Sequence, residues 1–152
     1  RTAVKEEQAM DIFTSMKVGA SALKAQRMRL NTISSNLANV ETTSTPEGGP
    51  YKKKNVVFRP VGTSFEKQLD SNLKGAVQGV QVQRITADER EPRMVYDPAH
   101  PDADPQGYVA MPNINVMDEI VDMMSATSAY EANVTVVQSA KRMALKALEI
   151  GK

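Results

Sequence analysis

Near the start of the chain, Ile12, Met16, Gly19, Leu23, Gln26, Leu30, Ile33, Leu37 and Val40 recur at alternating steps of four and three. That alternation places a mostly apolar set on one face of an α-helix, the spacing of a coiled-coil seam. Towards the end, Val116, Ile120, Met123, Thr127, Tyr130, Val134, Val137, Lys141, Ala144 and Leu148 repeat it. The pattern predicts one long helix from about Asp11 to Asn39, near 43 Å at about 1.5 Å per residue, and a second from about Val116. Periodicity alone fits two helices packed inside an ordinary domain as well as helices that also meet neighbouring copies.

Local signals bound these helices. Glu41-Thr-Thr-Ser-Thr-Pro-Glu-Gly-Gly-Pro50 holds two prolines and two glycines and forces a loop after the first helix. Asn115 is placed as an N-cap, with Asp118 three residues on as in a capping box, and Gly151 sits where a C-terminal stop is expected. Between them the pattern shortens to extended stretches, Asn55–Arg59, Val80–Arg84 and Arg93–Tyr96, with turns at Asp97-Pro98, Asp104-Pro105 and Gln106-Gly107. The expected organisation is an extension over residues 1–9, a helical unit from residues 10–40 plus 113–152, and an irregular, partly β segment over 41–112. The fold class is mainly α, with antiparallel terminal helices forming a coiled-coil unit.

Side-chain size and charge refine this reading. Gly19, Ala20, Ala22 and Ala25 thin one side of the first helix, and Ala126, Ala129 and Ala132 thin the second, which allows close approach. Asp118, Glu119 and Asp122 open the second helix and Lys141, Arg142 and Lys146 lie near its end, each favourable against the helix dipole by roughly 0.3–1 kcal/mol. Solvated helix ends account for those charges as well as pairing does. The composition is globular, 41% hydrophobic and 24% charged, with no Trp and nine adaptable Met. A net charge of +1 gives no strong field toward nucleic acid or anionic lipid. No stretch approaches the roughly 20 apolar residues of a membrane span, and no cleaved secretory signal is expected. The absence of cysteine excludes disulfides and thiolate metal sites.

Candidate chemistry is sparse. His100 lies among carboxylates in Asp97-Pro-Ala-His-Pro-Asp-Ala-Asp104, but two prolines and the spacing fit a solvated acidic loop better than a metal site. Gly48-Gly49 before Lys52-Lys-Lys54 lacks the order of a phosphate-binding loop, and so short a basic run reads as surface rather than as a nucleic-acid site. No catalytic residue, metal ligand or cofactor site is expected, and no nucleic-acid partner.

Several stretches carry a resemblance. Asn31-Thr-Ile-Ser-Ser-Asn-Leu-Ala-Asn-Val-Glu-Thr-Thr43, Thr45-Pro-Glu-Gly-Gly-Pro-Tyr-Lys-Lys-Lys54 with Val56-Val-Phe58, Pro112-Asn-Ile-Asn-Val116, Tyr130-Glu-Ala-Asn133 and Lys146-Ala-Leu-Glu-Ile-Gly151 resemble the bacterial flagellar rod and hook axial proteins, and within them the proximal rod. The resemblance covers nearly everything from Met10 onward. It implies a structural subunit of a periplasmic, torque-transmitting rod with an open export channel. Implied partners are other rod proteins, further copies of the chain, the inner-membrane ring and export gate, and the flagellar type III export machinery. Delivery would proceed without signal cleavage, with Phe13 and its apolar neighbours contributing to recognition at the gate. The implied assembly interface takes in Ile12, Met16, Leu23, Leu30, Ile33, Asn36, Leu37, Asn39, Ile120, Met123, Tyr130, Asn133, Val134, Val137 and Leu148. Ser128 stands where relatives often carry Arg, so the ion pair that Arg implies is not open to this chain. Another rod or hook subunit is the nearest alternative, and a small enzyme with a site in the middle segment is the alternative from another class.

Overall fold

A computed structural model describes residues 2–61 and 78–150, with side chains from 13 to 61 and 78 to 149. The elements run α1 (Thr2–Ala38), β1 (Lys54–Pro60), β2 (Val80–Ala87), β3 (Arg93–Tyr96), β4 (Tyr108–Met111) and α2 (Val116–Ile150). The helices carry 37 and 35 residues, so the architecture is mainly α with a partly β middle. No described helix is long and apolar enough to cross a membrane.

Helix α1 starts well before the seam that predicts it. Thr2-Ala-Val-Lys-Glu-Glu-Gln-Ala9 contains no Gly or Pro and is rich in good helix formers, so propensity carries the helix back where the heptad gives no signal. Its other end closes at the polar corner the sequence marks. Asn39 Nδ2 donates to the Ser35 carbonyl (2.8 Å), and Thr42 Oγ1 donates to Asn39 Oδ1 (3.2 Å), so both ends of that amide hold the exit turn. Helix α2 is capped as expected, with the Met117 N–H donating to Asn115 Oδ1 at 3.0 Å. The expected stop at Gly151 lies outside the described residues.

The three predicted strands are present, and β4 is an addition. Strand β3 pairs antiparallel with β4, Met94 opposite Ala110 and Tyr96 opposite Tyr108, and the two Tyr rings meet edge-on at 5.3 Å. Gly107 allows the return: its φ is +84°, and a Cβ there would lie 2.9 Å from the Tyr96 ring. Asp104 Oδ1 accepts from the N–H groups of Gln106 (2.9 Å) and Tyr108 (2.8 Å), which fixes the turn. Strands β1 and β2 form a second two-stranded sheet.

The acidic loop is organised by the same chemistry. Asp97 Oδ1 accepts from the Ala99 N–H, His100 Nδ1 accepts from the Asp102 N–H at 3.1 Å, and the Thr43 hydroxyl donates to Asp102 at 2.7 Å. Its carboxylates are thus turned to the backbone and to Thr43. His100→Ala should change stability by less than about 0.5 kcal/mol. A larger fall in the urea midpoint of that variant would contradict this account of the loop.

The chain packs as two compact units, one of Arg1–Met28, Phe58–Gln83 and Thr127–Lys152, the other of Arg29–Val57 and Arg84–Ala126. In the first, Gly19, Ala25 and Ala140 are buried, and a Cβ on Gly19 would stand 2.7 Å from Val137 Cγ2. Close helix approach there depends on the missing side chain. In the second, Ile33, Val109, Pro112, Ile114 and Ala126 form the apolar core around buried Thr32, Asn36 and Glu119.

Packing selects a face of α2 slightly rotated from the predicted seam. Among the covered residues Glu119, Met123, Ala126, Tyr130, Asn133, Val137, Ala140 and Ala144 form one run, with Asp122, Ala129, Val134 and Ser139 half-buried beside it, whereas Ile120, Thr127 and Lys141 are exposed. Both sets alternate by four and three and share Met123, Tyr130, Val137 and Ala144. Small residues decide between them, because Ala126 and Ala140 admit a closer neighbour than the bulkier alternatives do.

Candidate assembly site

The most connected side chain in the second unit is Asn36, from the Ser-Asn-Leu-Ala-Asn stretch at the end of α1. It is 1% exposed. Its Oδ1 accepts from the Lys54 N–H (2.9 Å) and from the Tyr51 hydroxyl (3.1 Å). Its Nδ2 donates to the Lys54 carbonyl (2.9 Å) and to Glu119 Oε2 (3.0 Å). One amide therefore pairs with both backbone groups of the first residue of β1, as a neighbouring strand would, and also reaches α2. All of its donor and acceptor capacity is used at one point, which is the condition for burying a polar group without penalty.

Glu119 completes the junction. It is also 1% exposed, and its Oε1 lies 2.6 Å from the Lys53 ammonium, which is 18% exposed. Glu119 stands in the first turn of α2, where the helix dipole favours it as expected, and of the two alternatives, solvation or pairing, it takes pairing, because its position on the packed face turns it inward. Arg29 donates to Asp122 at 3.3 Å beside it. As numbers rise from Arg29 to Asn36 along α1, their partners fall from Asp122 to Glu119, so the helices run antiparallel. Tyr51 shares a hydrogen bond with Ser35 (3.3 Å), and the Lys54 ammonium lies 5.6 Å from the centre of the Tyr51 ring.

The loop that delivers Tyr51 and Lys53 is shaped by its glycines. Gly48 and Gly49 have φ of +90° and +75°, conformations that side chains disfavour, and the Thr45 N–H donates to the Gly49 carbonyl at 3.0 Å. The Tyr51 N–H then donates to the Thr42 carbonyl, returning the chain toward α1. A cavity of about 240 Å³ opens beside it, lined by this turn with Asp88, Arg90, Pro92 and Asn113. Arg90 and Asp88 face each other at 2.5 Å. Hydrogen bonds from Arg90 hold the Asp88 carboxyl below its usual range, so the pair persists above ordinary carboxylate titration and is lost only as pH falls through that lowered value.

The residues named for the interface occupy varied positions. Ile33 and Asn36 are buried, with Asn36 occupied inside the chain. Met16, Leu23, Leu30, Leu37, Asn39, Met123, Tyr130, Asn133, Val134 and Val137 are half-buried, while Ile120 and Leu148 are 39% and 72% exposed. The side chain of Ile12 lies outside the described residues. Sequence reasoning did not find Lys53, Tyr51 and Glu119 as a group. The available signal was the alanine side of α2, whose heptad frame carries Glu119 inward.

The junction is assembled from the stretches that carry the family likeness: Asn36 from the first, Tyr51 and Lys53 from the second, and Glu119 just beyond Pro112–Val116. The flagella basal body rod protein family matches residues 16–44, and the C-terminal domain of flagellar basal body rod FlgEFG proteins matches residues 106–150. The flagellar basal-body rod protein FlgC of Bacillus subtilis is 47% identical over 94% of this chain and its own full length. That of Borreliella burgdorferi is 44% identical, covering 93% of this chain and 98% of its own. The Salmonella typhimurium protein of the same name is 39% identical over 94% of the chain and its own full length. The chain belongs to the FlgC family of flagellar basal-body rod proteins. In this FlgC-family chain, the Ser-Asn-Leu-Ala-Asn corner is where loop, strand and both helices are tied together.

Proposed function

We propose that this chain polymerises helically with other rod proteins and with further copies of itself into the proximal rod, a hollow shaft that transmits torque and surrounds an export channel. It is a structural subunit of the flagellar basal body and acts through contacts rather than turnover. The observation that carries assembly is apolar exposure on both helices: Phe13, Met117, Val121, Met124, Leu145 and Leu148 each expose more than half of their surface. Such stripes mark interaction surfaces when they recur on one helix face. Delivery uses the flagellar type III machinery, without signal cleavage, to the periplasmic rod. Deleting the gene should abolish swarming and leave basal bodies without a complete rod, and a plasmid copy should restore both. Wild-type rods and swarming in the deletion strain would overturn the proposal.

A further inference from the structure

The two helices divide charge unevenly. From Phe13 to Ala38, α1 carries Lys17, Lys24, Arg27 and Arg29 and no acid; from Val116 to Glu131, α2 carries Asp118, Glu119, Asp122 and Glu131 and no base. Two of these acids are satisfied inside the chain, Glu119 by Lys53 and Asp122 by Arg29. Among the described residues, Lys17, Lys24, Arg27 and Asp118 are exposed and enter no ion pair.

These charges lie in or beside exposed stripes. Phe13, Lys17, Ala20, Lys24 and Arg27 follow steps of four and three along α1, all exposed, with Phe13 at 66%. Met117, Val121 and Met124 follow the same steps on α2 at 70%, 65% and 66% exposure, with Asp118 at their edge. One surface is basic with an aromatic end, and the other is an acidic-edged apolar strip rich in adaptable Met. We infer that the α2 stripe of one copy receives the α1 stripe of a second copy, with Ala20 of one facing Val121 of the other. The inference rests on the rod reading above. Apolar contact supplies the attraction, and opposite charge sets orientation and excludes like-with-like pairing. Because the two surfaces differ, the contact is heterologous: a bound pair still offers one free stripe of each kind, so further copies add head to tail in a ring or a helical array instead of stopping at a two-fold dimer.

The cysteine-free sequence permits a direct test. The full chain carrying Ala20→Cys and Val121→Cys is expressed in the deletion strain, and purified basal bodies are oxidised. The inference predicts a ladder of disulfide-linked multimers with the double variant, at least ten times stronger than with either single variant. Lys17→Glu with Lys24→Glu should reduce swarming at least fivefold, and adding Asp118→Lys should restore most of it. A double-cysteine chain that is present in basal bodies but yields no ladder overturns the inference and leaves the rod reading standing. Failure of charge reversal to affect swarming also overturns it. Absence of the unmodified chain from basal bodies would remove the rod reading itself.

Discussion

Glu119→Ala is expected to destabilise the folded chain by about 3–5 kcal/mol. The carboxylate is 1% exposed and holds two partners, Lys53 at 2.6 Å and Asn36 at 3.0 Å. Removing it strands an ammonium that is itself only 18% exposed, and an uncompensated buried charge costs more than the pair contributed while intact. Urea unfolding should show a large fall in midpoint with little change in slope. Replacing both partners, Glu119→Leu with Lys53→Met, should recover much of the loss, since apolar groups of similar volume need no counter-charge. A cost below about 1 kcal/mol for the single change would show that the pair behaves as an ordinary surface ion pair.

Asn36→Ala should cost about 3–4 kcal/mol by leaving several buried donors and acceptors without partners, at roughly 1–3 kcal/mol for each one that water cannot reach. The groups that lose their partner are the Lys54 N–H and carbonyl and one of the contacts of Glu119 Oε2, while the Tyr51 hydroxyl keeps Ser35. Asn36→Asp should be no better, because it replaces the amide donor with a second carboxylate beside Glu119. Loss of amide-exchange protection should concentrate at the start of β1 and the end of α1. If both variants unfold at the parent's urea midpoint, the junction is not what joins these elements.

Much of this architecture was legible from local rules. The Asn115 cap, the glycine-bearing loop after α1 and three strands depend on residues close in sequence, and each appears where the pattern places it. Strand β4 escaped because Tyr108-Val-Ala-Met111 is short and sits between turn residues, so only its pairing with Arg93–Tyr96 reveals it. The role of residues 1–9 stayed open for the opposite reason, since a helical lead-in there rests on propensity alone, beyond the reach of the heptad. The seam of α2 was legible in period but not in phase. Apolar size favoured Ile120, while close packing favours Ala126 and Ala140, and Glu119 turns inward with them. Whether a lone carboxylate is solvated or buried depends on the arrival of Lys53 and Asn36 from distant parts of the chain, which no window of neighbouring residues contains. Asn36 was recognisable as a corner residue, but its match to both backbone groups of Lys54 required the fold.

The central claim is that this chain is a subunit of the basal-body rod. Its most direct test is imaging of basal bodies purified from cells whose copy of the chain carries an electron-dense tag on the exposed Asp97–Asp104 loop, with the same sample quantified by mass spectrometry. The account predicts the chain in fixed proportion to the other rod proteins and tag density ringing the rod at one level. Intact rods that contain neither the chain nor the tag would contradict it.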